Sequence, residues 1–278
     1  MRALVLQTDF GLGDGAVCAM YGVAESVSPD LKVYDLTHEI EQYNIWDASY
    51  RLVQTIDYWP EGTVFVSVVD PGVGSDRRSI GALTNDGKVI ITPDNGTLTH
   101  VNLLRGIKEV RVIDESVNRL PNSRDVYTFH GRDVYAYTGA RLASGIIDFE
   151  GVGPEVSPDS IVCLPIIQPI VENGVISGTI DVLDIRFGNI WTNIPFESIR
   201  QQGIEYGDRI RVAIRNDTRT VYSNEMGFFH SFASAEAGEA LAYINSLEYL
   251  AVAINLGSFA KAYSIGTGNS WHIDVKKV

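Results

Sequence analysis

At 278 residues, with 45% hydrophobic and 21% charged residues, the chain has room for one large domain or two ordinary ones and the composition of a globular protein. A formal net charge of −13 with no basic patch disfavours a nucleic-acid partner. No run of about 18 apolar residues reads as a membrane span, and the start reads as a strand rather than a signal peptide, so a cytoplasmic location is expected. From the N-terminus, Ala3 to Leu6 reads as a strand and Gly15 to Ser26 as a helix stopped by Ser28-Pro29. Lys32 to Leu36 is a second strand, Ile45 to Tyr58 a helix with apolar residues at helical spacing, and Thr63 to Val69 a β-branched third strand. Lys88 to Ile91 and Val110 to Ile113 follow as strands, and Val134 to Leu142 as a helix. This alternation predicts an α/β domain over residues 1–165, with a Rossmann-like parallel or mixed sheet. The stretch from about Gly151 to Asn173, with Pro154, Pro158, Pro165 and Pro169, reads as a linker. Beyond it Val175 to Ile185, Asp208 to Arg215, Tyr249 to Asn255 and Trp271 to Val275 read as strands, and Ser234 to Leu241 as a helix. Many short strands predict a small all-β barrel over residues 166–278. The two cysteines, Cys18 and Cys163, give neither zinc spacing nor a disulfide framework and are expected as small buried fillers.

The predicted strands of the first domain end in polar residues. Asp9 closes the first, Asp35 and His38 the second and Asp70 the third, while Asp94 and Asn95 follow a fourth and His130 precedes a helix. Parallel strands align their carboxyl ends, where ligands bind in open α/β sheets, so these groups are expected on one rim. The loop after the third strand, Asp70-Pro71-Gly72-Val73-Gly74-Ser75-Asp76-Arg77-Arg78, lets an arginine turn back toward Asp70. Asp14 and Asp94 are explained as helix caps or Asx turns. The glycines at 11, 13 and 15 miss the dinucleotide fingerprint by one residue, and neither a phosphate loop nor a Gly-x-Ser-x-Gly elbow is present. No helical His pair supports a metal, so none is expected.

The combination of Thr8-Asp9-Phe10-Gly11, Asp35-Leu36-Thr37-His38, Val69-Asp70-Pro71-Gly72-Val73-Gly74, Pro93-Asp94-Asn95-Gly96 and Phe129-His130-Gly131-Arg132-Asp133 resembles the S-adenosyl-L-methionine (SAM) hydroxide adenosyltransferases. These are adenosine-forming SAM hydrolases, homologous to the SAM-dependent fluorinase and chlorinase. In the second half, Asp184 to Asn193 and Ile244-Asn245-Ser246, with Asn255 nine residues on, resemble the same family, so that the likeness runs from about residue 4 to 260. It implies an α/β domain followed by a β-barrel, and a homotrimer with SAM bound between subunits. SAM is then the substrate and no cofactor is needed.

The resemblance also implies the reaction, attack of water or hydroxide on the ribose 5′ carbon with release of L-methionine. Asp70, Arg77 and His130 match the family's water-handling set. Asp70 is expected to orient or deprotonate the water, His130 to relay the proton, and Arg77 to hold Asp70 ionised. Asp9 matches the ribose-hydroxyl acceptor, and Tyr43 an aromatic beside the ribose and sulfonium. Asp184 and Asn189 are placed for the amino-acid end of SAM, Phe187 and Trp191 for packing on the ligand or in the barrel, and Ser246 and Asn255 for polar edges. The halogenating branch has a tyrosine at the Asp70 position, lacks the histidine motif and, in the fluorinase, carries an insertion for which Ile80 to Thr92 leaves no room. The segments Asp184 to Phe187 and Ile190 to Asn193, by contrast, look closer to that branch. A halogenase sibling and a non-catalytic SAM sensor are therefore the alternatives.

Overall fold

The computed structural model of the chain describes residues 2–217 and 219–278, and the chain divides into two compact units, residues 1–164 and 165–278. The first unit runs β1 (Leu4–Thr8), α1 (Ala16–Val27), β2 (Val33–Thr37), α2 (Ile45–Ile56), β3 (Val64–Val68), β4 (Ser79–Thr84), β5 (Val89–Pro93), α3 (Thr99–Arg105) and β6 (Ile107–Val112). A π-helical turn over Gly131–Ala136 then leads into α4 (Tyr137–Ser144), and β7 (Glu155–Val156) follows. The seven strands form one mixed sheet in the order β2-β1-β3-β5-β4-β6-β7. Strands β2, β1, β3 and β5 run parallel, and β4, β6 and β7 antiparallel to their neighbours.

Alternation along the central strands explains why the sheet is covered on both faces. Leu4 and Leu6 of β1 join Val64 and Val66 of β3 against Met20, Ala24 and Ala140 of α1 and α4. Val5 and Phe65 point the other way, into a cluster with Leu52, Val53 and Ile56 of α2, Val101 of α3 and Leu98 just before it. The approach of α4 is close because Gly139 has no side chain: a Cβ there would stand 2.4 Å from Val66 Cγ2 and 3.2 Å from Leu4 Cδ1. Glycine to alanine inside a helix normally gains about 1 kcal/mol. Here Gly139→Ala meets a rigid strand, and overpacking of this kind costs about 1–3 kcal/mol. The expected outcome is a net loss of stability, read as a lower urea midpoint with unchanged far-UV circular dichroism of the native protein.

The second unit comprises β8 (Ile170–Glu172), β9 (Val175–Asp184), β10 (Asn189–Pro195), α5 (Phe196–Gln201), β11 (Arg209–Asn216), β12 (Arg219–Phe228), β13 (Ala240–Ile244), β14 (Tyr249–Ile254), α6 (Phe259–Tyr263) and β15 (Gly268–Lys277). Pairing of β10 with both β14 and β9 closes seven strands into a barrel, and β8 adds to β9 from outside. Isoleucines and valines of alternate positions, among them Ile176, Ile180, Ile190, Ile210 and Val212, fill its interior. The α/β-then-barrel class read from the sequence is the observed one.

Local expectations differ in several places, and β10, α3, α5 and α6 have no counterpart among the predicted elements. The segment Ser234 to Leu241 is not a helix: a single 3₁₀ turn at Phe232–Ser234 is followed by β13, whose Leu241, Ala242 and Tyr243 pair with β14 inside the closed barrel. Pairing and burial override local propensity there. Strand β4 escapes the periodicity because it carries Gly81 and Ala82, yet it is buried between β5 and β6. Strand β12 is hidden by the polar residues on its outer face. The stretch 151–173 is not a plain linker, since β7 extends the first sheet and β8 pairs with the barrel. Finally, Cys18 and Cys163 are both exposed. Cys18 lies off the buried stripe of α1 formed by Val17, Met20, Val23 and Ala24. Among the described residues no helix is long and apolar enough to cross a membrane.

Candidate active site

Strand β3 is wholly buried and delivers Asp70 to the rim of the sheet two residues past its last member. Its end is pinned by the Pro93–Gly96 segment, where Asn95 Nδ2 donates to Val69 O at 2.8 Å. Two successive turns, closed by Val73 N to Asp70 O and Ser75 N to Gly72 O, bring the chain back on itself. Gly74 takes a φ of +79° in the second of them, with Tyr127 O only 3.1 Å from where a Cβ would be. As a result Arg77 faces Asp70 with a two-pronged pair, Nε to Oδ1 at 2.8 Å and Nη2 to Oδ2 at 2.5 Å. The other expected partner, Arg78, pairs instead with Asp94.

His130 enters from a different element, at the start of the π-helical turn. Arg77 Nη2 donates to its Nδ1 at 3.1 Å. A guanidinium can only donate, so Nδ1 is an acceptor and the proton of the neutral ring sits on Nε2. That Nε2 is buried without a partner. Burial pushes His130 below its ordinary pKa, Arg77 adding to the effect and Glu115 opposing it. The ring is thus a neutral donor near pH 7. Arg77 Nη1 completes the set by donating to Ser79 Oγ at 2.9 Å, and Ser79 Oγ lies 3.0 Å from the hydroxyl of the fully buried Tyr135. All this surrounds one wall of a cavity of about 460 Å³, lined also by Asp9, Phe10, Gln42, Tyr43, Val73 and Phe129. Asp9 Oδ2 accepts Tyr43 N at 2.9 Å, and Tyr43 itself takes a φ of 68° to make that contact. The rings of Phe10 and Phe129 meet edge-on at 5.9 Å, and Gly131 leaves space for Phe10.

A second cavity, of about 600 Å³, lies in the barrel unit. Asp184 ends β9 and Asn189 begins β10, joined by a tight turn in which Gly188 N donates to Asp184 O. Asn189 Nδ2 reaches Asp184 Oδ2 at 3.2 Å. Phe187 stands at the tip of the turn, 71% exposed, and Asn255 lines the same space with its Nδ2 on Ala235 O. Trp191 is buried behind it and donates its indole N–H to Tyr243 OH at 3.3 Å, Tyr243 being a lining residue. Burial raises the Tyr243 hydroxyl to about 12. Ser246 lies outside both cavities, exposed in the turn between β13 and β14.

The family model for the SAM hydroxide adenosyltransferase N-terminal domain matches residues 4–153, and that for the C-terminal domain residues 178–272. The chain belongs to the SAM hydroxide adenosyltransferase family. It is 34% identical over 267 residues to an (R)-S-adenosyl-L-methionine hydrolase of Methanocaldococcus jannaschii, covering 94% of this chain and 92% of that protein. It is 30% identical over 291 residues to a fluorinase of Actinopolyspora mzabensis, covering 96% and 95%. An uncharacterized conserved protein from Thermotoga maritima superposes with a TM-score of 0.89 at 32% identity, covering 98% of this chain and 99% of that one.

Within this family member, the expected site residues fall into two groups. Asp9, Tyr43, Asp70 and His130 line the first cavity with Arg77 behind them, and Asp184, Phe187, Asn189 and Asn255 line the second. The cap assigned to Asp94 belongs to Asn95, whose Oδ1 accepts from Thr97 N and hydroxyl, whereas Asp94 takes Arg78 and Val162 N. Asp14 does form an Asx turn, to Ala16 N. Sequence reasoning missed Ser79 and Tyr135. Ser79 is two residues past Arg77, the spacing that places two side chains on one face of an extended segment. Tyr135 follows His130 by five, a spacing that only a π turn brings into use. Among the described residues no group of three or more His, Cys, Asp or Glu is placed to hold a metal ion.

Proposed function

We propose that the protein hydrolyses SAM to adenosine and L-methionine by in-line attack of water on the ribose 5′ carbon. The observation that carries this reading is the single guanidinium of Arg77 bonded at once to Asp70 and His130 on a cavity wall, with Asp9 lining the same space. A sulfonium leaves without protonation, so the protein has to place an oxygen nucleophile rather than supply an acid. Asp70, with lone pairs left beyond its two bonds to Arg77, accepts a hydrogen bond from the water and takes its proton as the C5′–O bond forms. The C5′–S bond breaks with its electron pair moving to sulfur, giving the thioether of methionine, and the proton passes from Asp70 to solvent. The free Nε2–H of His130 donates to the attacking oxygen. With Nδ1 occupied by Arg77, this is a holding role in place of the proton relay expected from the sequence. The charge lost as hydroxide-like oxygen meets sulfonium favours the apolar walls supplied by Phe10, Val68, Val73 and Phe129.

In the same proposal Asp9 accepts from the ribose hydroxyls and Tyr43 packs beside them. Asp184 and Asn189 take the amino-acid end, with Phe187, Trp191 and Asn255 around it. Ser246 has no role. A homotrimer and a cytoplasmic location belong to the proposal, and no metal or cofactor does. The experiment is incubation of purified protein with SAM, without metal or halide, followed by chromatography. Equimolar adenosine and L-methionine are expected. Halogenated adenosine formed only on adding halide points to the halogenase branch, and intact bound SAM to a sensor.

A further inference from the structure

Outside the Asp70–Arg77–His130 set, a second polar chain runs beside the same rim. Thr8, the last residue of β1, is fully buried, and its Oγ1 lies 2.8 Å from His38 Nδ1. His38, 3% exposed, has Nε2 3.0 Å from Asp35 Oδ1. The other oxygen of Asp35 accepts the Tyr21 hydroxyl at 2.6 Å. Directions along this chain follow from its end. Asp35 only accepts, so Nε2 carries a proton, and in the Nε2–H tautomer Nδ1 accepts. The Thr8 hydroxyl must then donate to Nδ1, which leaves the lone pairs of its oxygen for Phe10 N, 3.2 Å away.

His38 also acts with its backbone: its carbonyl accepts Gly11 N at 2.7 Å. The two amides that follow Asp9 are therefore both tied to His38, one through Thr8 and one directly. Between these anchors Asp9 has little freedom, and its carboxylate is steadied further by Tyr43 N. None of Thr8, His38, Asp35 or Tyr21 lines the first cavity. Their contribution there passes through the lining residues that they anchor, Asp9 and its neighbour Phe10, and of these Asp9 carries the acceptor.

We propose that Thr8 and His38 are positioning residues that aim the Asp9 carboxylate at a vicinal diol, and so set the preference of the site for a ribose over a deoxyribose. The inference rests on the reading of Asp9 as ribose acceptor. A site built to bond a hydroxyl rejects the analogue lacking it because a buried acceptor is left unpaired, and that penalty depends on placement of the acceptor. A loosened Asp9 turns to water when the hydroxyls are missing, and the discrimination fades.

The test compares adenosine with 2′,3′-dideoxyadenosine by calorimetry. Wild-type protein is expected to prefer adenosine by at least about 10-fold. Thr8→Val, which keeps the shape and loses the hydroxyl, brings the two nucleosides within about 3-fold by weakening adenosine alone, while Thr8→Ser retains the preference. His38→Gln examines the same link from the other side, and gives an answer even if Thr8→Val does not fold. A purely structural role would weaken both nucleosides equally, and that result, or an unchanged preference in both variants, overturns the inference. Asp9→Ala separates the two layers of the argument. If it leaves the preference intact, or if wild type shows none, the ribose reading of Asp9 itself is wrong. If Asp9→Ala erases the preference while Thr8→Val and His38→Gln keep it, only the positioning role falls.

Discussion

Asp70→Asn is expected to lower kcat for adenosine formation by about 10²–10⁴-fold, the range that a positioned general base contributes. The amide still gives Arg77 one oxygen, and the side chain sits in a pair whose members are 5% and 11% exposed. Losing the charge opposite a buried guanidinium lowers stability, and SAM should still bind to the folded variant, since the residues assigned to its amino-acid end lie in the other cavity. Single-turnover kinetics with enzyme in excess of SAM and above its Kd measures the chemical step apart from binding. A variant that keeps more than about a tenth of wild-type kcat would remove Asp70 from the chemistry and leave it a structural partner of Arg77.

Arg77→Met carries the largest expected effect on stability. Asp70 would remain buried with its counter-ion gone, which costs about 3–5 kcal/mol. Ser79 Oγ and His130 Nδ1 would lose their donor in the same step. Thermal unfolding of the variant should show a clearly lowered transition, and hydrolysis should be lost with it. Arg77→Lys distinguishes charge from shape. An ammonium restores the counter-ion but has no planar fork with which to grip both Asp70 oxygens and His130 together. Much of the stability should return while kcat stays low. Equal stability of Arg77→Met and wild type would mean that the pair contributes nothing to the fold.

The sequence displays the central strands and the rim well, because strands buried on both faces read as apolar runs and their polar endings stand out. Asp9 and Asp70 stand out for that reason, His130 stands out only as the polar residue before a helical pattern, and the glycines at 72 and 74 announce that the chain can double back. What the sequence hides is whatever depends on partners distant along the chain. Leu241 to Tyr243 have helical company in the sequence, and only the closing of the barrel makes them a strand. Arg77 and Arg78 are adjacent and chemically alike, yet alternation on an extended segment sends one to Asp70 and the other to Asp94. The Nδ1 of His130 is taken by Arg77, 53 positions away, a contact that has no local signal. Ser246 sits in a motif of the right type, but the β13–β14 turn holds it in solvent.

The π-helical turn at Gly131–Ala136 amounts to a phase setting. One additional residue is accommodated there before the regular winding of α4 begins at Tyr137. An α-helix advances about 100° per residue, so removing one residue from the turn would rotate everything before it by that angle while α4 kept its seat on the sheet. His130 would swing away from Arg77, and Val134, Tyr135 and Ala136, which the turn buries in the core beside α4, would have to repack. A length change of a single residue in this segment therefore couples the placement of the histidine to the packing of the interior, so that neither can be altered alone.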